Sequence, residues 1–310
     1  MGKNPSRTSR LRRGVAPEMT SAAPRLFCYA LVMSHEQALL QMQRRLGAGI
    51  FGCDDWLIFS NSSAVLQVAE SPNRTALLPN NMDAAVGGAF RSALNAPLFL
   101  VAWRQLQLQL ASNSWHIDWV VKSDVDTCFI AARMRQLIAD RATRISPQRH
   151  AAVWTYRQDL WIPGPLEVLS VAAMHILLRH LDGCAARAAP VDHGEDIWLN
   201  RCLGTYHKPR ENLHRPPLVR VLNDQRLLCW GGANLRLGRC HEFNTSQPWA
   251  WSADLTRTRA AVAHPIPALR HPLAESHLAL YCHAPQLVAF HPAKSVDQWL
   301  ACLAAMAYHA

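Results

Sequence analysis

Ile117-Asp-Trp-Val-Val-Lys-Ser-Asp-Val-Asp-Thr127 is the stretch on which the fold turns. Its first six residues, Ile117 to Lys122, are rich in β-branched and aromatic side chains and predict a strand. Asp124 and Asp126 follow two residues later, so the strand would deliver two carboxylates side by side to a turn. Hard oxygen donors in that arrangement can hold Mn²⁺ or Mg²⁺. The bare pair is weak evidence, because 14 Asp in 310 residues supply ~0.6 Asp-x-Asp pairs by chance, and an acidic surface turn has the same spelling.

Working outward, Leu26 to Met33 and Trp56 to Ser60 predict strands before this one, and Ala151 to Thr155 predicts one after it. Between them, Ser34-His-Glu-Gln37 spells a capping box with Ser at the N-cap, opening a helix through Leu46. Asn95 to Ala111 has helical spacing, and Phe129 to Ala139 suits another helix. Residues 61–81 read as a polar loop, and Tyr206 to His271, rich in Pro, Arg and Gly, has no assignment. Helices are expected over Pro165 to Leu181, Asp196 to Leu203 and Ser295 to Ala305. The alternation predicts an α/β fold with a mostly parallel central sheet flanked by helices. Ligands of such sheets bind beyond the carboxyl ends of the strands, where Asp124 and Asp126 fall.

Two further segments could add chemistry. His193-Gly194-Glu195-Asp196 opens a helix, where a carboxylate is an ordinary cap and dipole partner. The same rigid terminus could also hold a general base. Phe290-His291-Pro292-Ala293-Lys294 offers an imidazole in an extended or turn conformation before proline. His291 is either a structural loop histidine or a Mn²⁺ ligand, and Lys294 could meet a phosphate.

Lys122-Ser-Asp-Val-Asp126-Thr, Gly164-Pro-Leu-Glu-Val-Leu-Ser170 and Glu195-Asp-Ile-Trp-Leu199, in this order, resemble glycosyltransferase family 31. That family holds β1,3-galactosyltransferases, core 1 synthases and fringe proteins, with the pattern Lys-Thr-Asp-Asp-Asp-Thr, a Gly-rich turn ending Tyr-Val-Leu-Ser, then Glu-Asp-Val-Tyr-Val. Here Asp126 and Gly164 are 38 residues apart, and Ser170 and Glu195 are 25 apart. The resemblance covers about residues 100 to 205, with a looser match at His291. It implies a GT-A-like Rossmann-type fold and a metal-dependent, inverting hexosyltransferase. Such an enzyme would move a galactose or N-acetylhexosamine type of sugar from a UDP-sugar to a glycan or glycoprotein hydroxyl.

Residue by residue, the resemblance implies Asp124, Asp126 and His291 for Mn²⁺ (or Mg²⁺), and Lys122 and Asp124 for the donor, which Lys294 is expected to join through a phosphate. It implies Asp196 as the base, and Gly164 and Glu195 for the acceptor; Trp198, beside Glu195 and Asp196, is also expected to meet the acceptor. Val125 replaces the acidic middle residue, and Pro163-Gly164-Pro165 is stiffer than the family's turn. The alternative is a sugar- or nucleotide-binding relative that kept the fold and lost turnover.

Composition excludes other classes. Half the residues are apolar and 17% are charged, which suits a globular chain rather than a disordered one. Lys3, Arg7, Arg10, Arg12, Arg13 and Arg25 against Glu18 place half of the +10 net charge in the first 25 residues. Residues 1–23 are expected to be a disordered basic tail, leaving one domain over 24–310, with no nucleic-acid partner expected. No apolar run approaches the ~18 residues of a membrane span, so membrane association would need a segment not seen in this sequence. Gly47-Ala-Gly49-Ile-Phe-Gly52 follows a helix and precedes a strand, the reverse of a dinucleotide-binding fingerprint. Trp154, Trp161 and Trp198 could stack on sugar rings, although core packing is the commoner use of such residues. Nine cysteines without a CxxC pair predict disulfides or buried thiols. With sequons at Asn61, Asn73 and Asn244 and the family resemblance, they point to the lumen of the Golgi or ER.

Overall fold

The computed structural model describes residues 23–78, 82–87, 92–112, 116–142, 144–156, 162–206, 208–230 and 287–307. The basic tail but for its last residue, Trp161, and the sequon at Asn244 lie outside them.

Among the described residues, seven strands form the central sheet: β1 (Leu26–Leu31), β2 (Asp55–Ser60), β3 (Thr75–Leu77), β6 (Trp119–Ser123), β8 (Ala152–Thr155), β9 (Leu166–Ser170) and β10 (Arg220–Asn223). Their order is β10-β8-β9-β6-β1-β2-β3. Only β9 runs against its neighbours, antiparallel to both β6 and β8. The expected mostly parallel sheet flanked by helices is therefore present. Strands β4 (Val86–Gly87) and β5 (Ser92–Ala93) form a separate pair.

Two apolar layers cover the sheet. Cys28, Ala30, Ile58, Trp119 and Val121 pack on one face with α1 (Gln37–Leu46), α4 (Ala131–Arg141) and α7 (Val296–Ala307). Phe27, Tyr29, Leu57, Phe59 and Val120 pack on the other with α3 (Ala96–Ser112), α5 (Val171–Arg187) and α6 (Glu195–Leu203). Residues alternate between the two faces along each strand, as the pleat requires.

The chain builds outward from β1 to β2 and β3, then returns across the sheet to place β6 on the other side of β1. The crevice at the carboxyl ends of β1 and β6 is thus a topological switch point.

Several local expectations are corrected. Residues 165–181 are not one helix. Leu166–Ser170 is strand β9, and Ser170 then caps α5, its hydroxyl accepting the Ala173 N–H at 3.2 Å. The box at the first helix is shifted by one residue: Glu36, not Gln37, reaches back, accepting the Met33 N–H at 2.9 Å at the start of a 3₁₀ turn over Ser34–Glu36. The loop at 61–81 contains the short helix α2 (Ser63–Gln67) and edge strand β3. Phe129 belongs not to a helix but to strand β7 (Cys128–Phe129), and α4 begins at Ala131. Gly47 caps α1 in the left-handed region, at φ 60°, so the GxGxxG spelling marks a helix end.

Cysteine chemistry is mixed. Cys28–Cys53 and Cys184–Cys202 are disulfides, Cys229 and Cys302 are also disulfide-bonded, and Cys128 is a buried thiol.

Candidate metal and transfer site

The turn after β6 is held from both sides. Asp124 and Thr127 both donate to the Pro165 carbonyl, the first through its N–H and the second through its hydroxyl, each at 3.1 Å. Gln43 of α1 donates to the Val125 carbonyl at 2.6 Å. Val125 itself is buried in the core at 2% exposure. The middle residue of the motif therefore points away from the carboxylates, and its apolar identity suits where it sits.

His291 arrives from a distant part of the chain on a second small sheet. Strand β12 (Ala289–His291) pairs antiparallel with β7 and parallel with β11 (Cys229–Trp230). Ala293 then donates its N–H to the Asp126 carbonyl at 2.7 Å. Asp126 Oδ1 lies 3.2 Å from His291 Nδ1, and the Lys294 ammonium pairs with Oδ2. Burial alone would raise the Asp126 carboxyl, but hydrogen bonding and charge from His291 and Lys294 hold it down at about 2. Ligand atoms from Asp124, Asp126 and His291 all lie within 4.8 Å of one another. Two carboxylates and an imidazole converging in this way fit a Mn²⁺- or Mg²⁺-type ion, with Mn²⁺ the better match to the nitrogen donor.

The other half of the site is built on α6. Its first residue, Glu195, donates its N–H to Asn95 Oδ1 at 2.9 Å. Asn200, fully buried one turn along, donates to the Ile162 carbonyl at 3.0 Å and accepts the Ile162 N–H at 2.8 Å. This amide clamps the Pro163-Gly164-Pro165 turn to the helix. A Cβ added at Gly164 would lie 3.3 Å from the Asp196 carboxylate, so glycine permits the turn and the candidate base to meet.

Lys122 stands between the two halves, buried at 1% exposure. Its ammonium lies 2.6 Å from Asp124 Oδ1, 2.8 Å from Glu195 Oε1 and 2.6 Å from the Gly164 carbonyl. Burial would lower it, but Asp124, Glu195 and Glu167 outweigh burial and hold it well above the usual lysine range.

The structure thus gathers Asp124, Asp126, His291 and Lys294 into one group, and Lys122, Glu195, Gly164 and Asp196 into an adjoining one. Three expected contacts are corrected. Trp198 is fully buried, stacked on Trp103 with its Nε1–H on the Ala188 carbonyl, and so presents no face to an acceptor. Lys122 has all three ammonium donors committed inside the protein and offers none to a donor phosphate. Glu195 is buried at 7% exposure with its carboxylate against Lys122, so it faces inward rather than toward an acceptor.

Two residues escaped the sequence reading. Asn200 has no motif to mark it. Glu36 follows β1 into the switch-point crevice, and its carboxyl rises to about 7. Burial is the main cause, opposed by the Met33 amide and reinforced by the charges of Asp126 and Asp124.

No family model matches the chain, and no curated protein matches it. Among solved structures it is similar to the crystal structure of a glycosyltransferase involved in the glycosylation of the major capsid of PBCV-1, at 12% identity and a TM-score of 0.38. That likeness covers 69% of this chain and 88% of the other. It is too slight to decide an activity, which has to be read from the residues.

Proposed function

We propose that the chain is a metal-dependent, inverting glycosyltransferase that moves a hexose from a UDP-sugar to a hydroxyl of a glycan or glycoprotein. The observation that carries this reading is the meeting of two unlike halves at one switch point. Three metal donors lie on one side, and a carboxylate at a rigid helix start lies on the other. The order of the three motifs that resemble family 31 supports the same assignment.

Asp124, Asp126 and His291 would hold Mn²⁺ (or Mg²⁺), which when bound neutralises charge on a departing diphosphate. Lys294, 69% exposed and already in this group, is the cation placed to meet a phosphate. Asp196 takes the proton of the acceptor hydroxyl as that oxygen attacks the anomeric carbon. The bond from that carbon to the diphosphate breaks as the new one forms, and its electron pair leaves with UDP. Gly164 lets the acceptor side close against Asp196.

Passage through an oxidising compartment is part of the proposal, with the Golgi or ER lumen as the site of action. The disulfides Cys28–Cys53 and Cys184–Cys202 support it. Among the described residues no helix is long and apolar enough to cross a membrane.

The test is UDP release from a panel of UDP-sugars, with Mn²⁺ or EDTA, in wild type and Asp126→Asn. Mn²⁺-dependent release from one donor, lost in the variant, is expected. If UDP and Mn²⁺ bind without release from any donor, even with mixed glycan acceptors, the binding-only alternative replaces this reading. No UDP binding at all would overturn the donor-site assignment.

A further inference from the structure

A buried ion pair is by itself weak evidence of anything but local structure, because desolvation offsets much of its attraction. Lys122 differs in what it joins. Its three acceptors come from three separate segments: the metal turn after β6, the N-terminus of α6, and the turn that precedes β9. Asp124 Oδ1 is committed to this ammonium, and the same carboxylate offers a ligand atom to the group with Asp126 and His291. Glu195 is bonded to the same ammonium, and Asp196 is the next residue along. The Phe99 ring of α3 closes the site from the side, 4.9 Å from Nζ.

Glu167 sharpens the picture. It stands opposite Lys122 in the β6–β9 register and is fully buried, yet neither of its oxygens has a hydrogen-bond partner among the described residues. Three carboxyl groups therefore surround one ammonium, and the ammonium bonds only the two that belong to the metal turn and the base helix. Apolar packing could hold α6 on the sheet. An ammonium with three directed donors also fixes the rotation of two carboxylates at once.

We propose that Lys122 is a positioning residue that couples the two halves of the site, setting the metal-side carboxylate Asp124 and the base helix α6 in one register through Glu195. The proposal rests on the transferase reading for its kinetic consequences, and on the ion cluster alone for its structural ones.

The test uses the full chain as Lys122→Met, Glu195→Gln and the double variant. Each is measured for melting temperature, for Mn²⁺ and UDP affinity by calorimetry, for kcat and acceptor KM, and for amide exchange over α6. Glu195→Gln keeps shape and removes only charge. It should fold, bind Mn²⁺ and UDP within about threefold of wild type, and lose about tenfold or more in kcat with little change in acceptor KM. Lys122→Met should weaken Mn²⁺ and UDP binding as well, by about tenfold, because Asp124 is released too. The double variant should be no slower than Lys122→Met, since both changes break one linkage. The proposal is overturned if Glu195→Gln keeps kcat, or if the two losses multiply. Should Lys122→Met fail to fold, Glu195→Gln still decides. If wild type binds no UDP, the transferase reading fails separately. Faster exchange at the start of α6 in Glu195→Gln would then still support the linkage, and unchanged exchange would remove it.

Discussion

Glu36 carries a pH dependence opposite in sign to that of its neighbour Asp126. Its folded carboxyl rises from 4.5 to about 7, so the folded state binds its proton more tightly than the unfolded chain does. Its contribution to stability is therefore complete below 4.5 and is lost as pH rises through about 7. Asp126, held at about 2, contributes above its ordinary value and loses that contribution as pH falls through 2. Glu36→Gln cannot ionise but can still accept the Met33 N–H. In EDTA it should match wild type near pH 4 and exceed it near pH 8 by on the order of 1 kcal/mol, a figure discounted for partial solvent screening. Urea unfolding at the two pH values measures this. An equal difference at both would show that the crevice does not disfavour the Glu36 charge. Nothing in Ser34-His-Glu-Gln37 hinted at this role. The local spelling shows a helix start, whereas the carboxylates that raise Glu36, Asp124 and Asp126, lie about 90 residues along the chain and meet it only once β6 returns beside β1.

At the scale of elements, β1, β2, β6 and β8 were legible as β-rich runs. The inserted strand β9 was not. Leu166-Glu-Val-Leu-Ser170 is buried at every position, so it lacks the alternation that marks a half-exposed strand and reads equally well as the start of the helix behind it. The paired carboxylates at 124 and 126 were legible because a strand end and a hard-donor pair are both local features. The clamp by Asn200 was not, because its partners at Ile162 are set by tertiary packing. Two glycines separate the roles of these elements. Gly164→Ala would place a Cβ 3.3 Å from Asp196, a contact relieved by a shift of a few tenths of an ångström. The expected result is a near-native fold with kcat down about tenfold. Gly204 lies at φ +82°, and a Cβ there would meet the His214 carbonyl at 2.7 Å and Pro217 Cα at 2.9 Å. Backbone atoms cannot step aside, so Gly204→Ala should cost about 2–3 kcal/mol in stability. Paired measurements of kcat and unfolding free energy check both. A Gly164→Ala variant with unchanged kcat would show that the close approach of this turn to Asp196 does not limit turnover.

For the whole molecule, the proposed luminal compartment can be checked without a substrate. Asn61 and Asn73 are both exposed. Asn61 follows the carboxyl end of β2, while Asn73 lies just before β3, at the sheet edge away from the switch point. In a secretory host, removal of N-glycans should shift the mass of wild type, and Asn73→Gln should remove one glycan with no change in UDP release. Absence of any shift would remove this support for a luminal protein.

Cys184–Cys202 gives the sterner test, because it ties α5 to the helix that carries Asp196. The bond closes a separation of 18 residues, for which chain entropy suggests about 3 kcal/mol of stabilisation. Cys202, however, sits near the far end of α6. The start of that helix is held separately by Asn95, by Lys122 through Glu195, and by Asn200 of the next turn. Replacing both cysteines by serine should therefore lower unfolding free energy by about 3 kcal/mol and leave kcat of the folded fraction near wild type. If kcat fell while stability held, the disulfide, not the buried ion cluster, would be what sets the base.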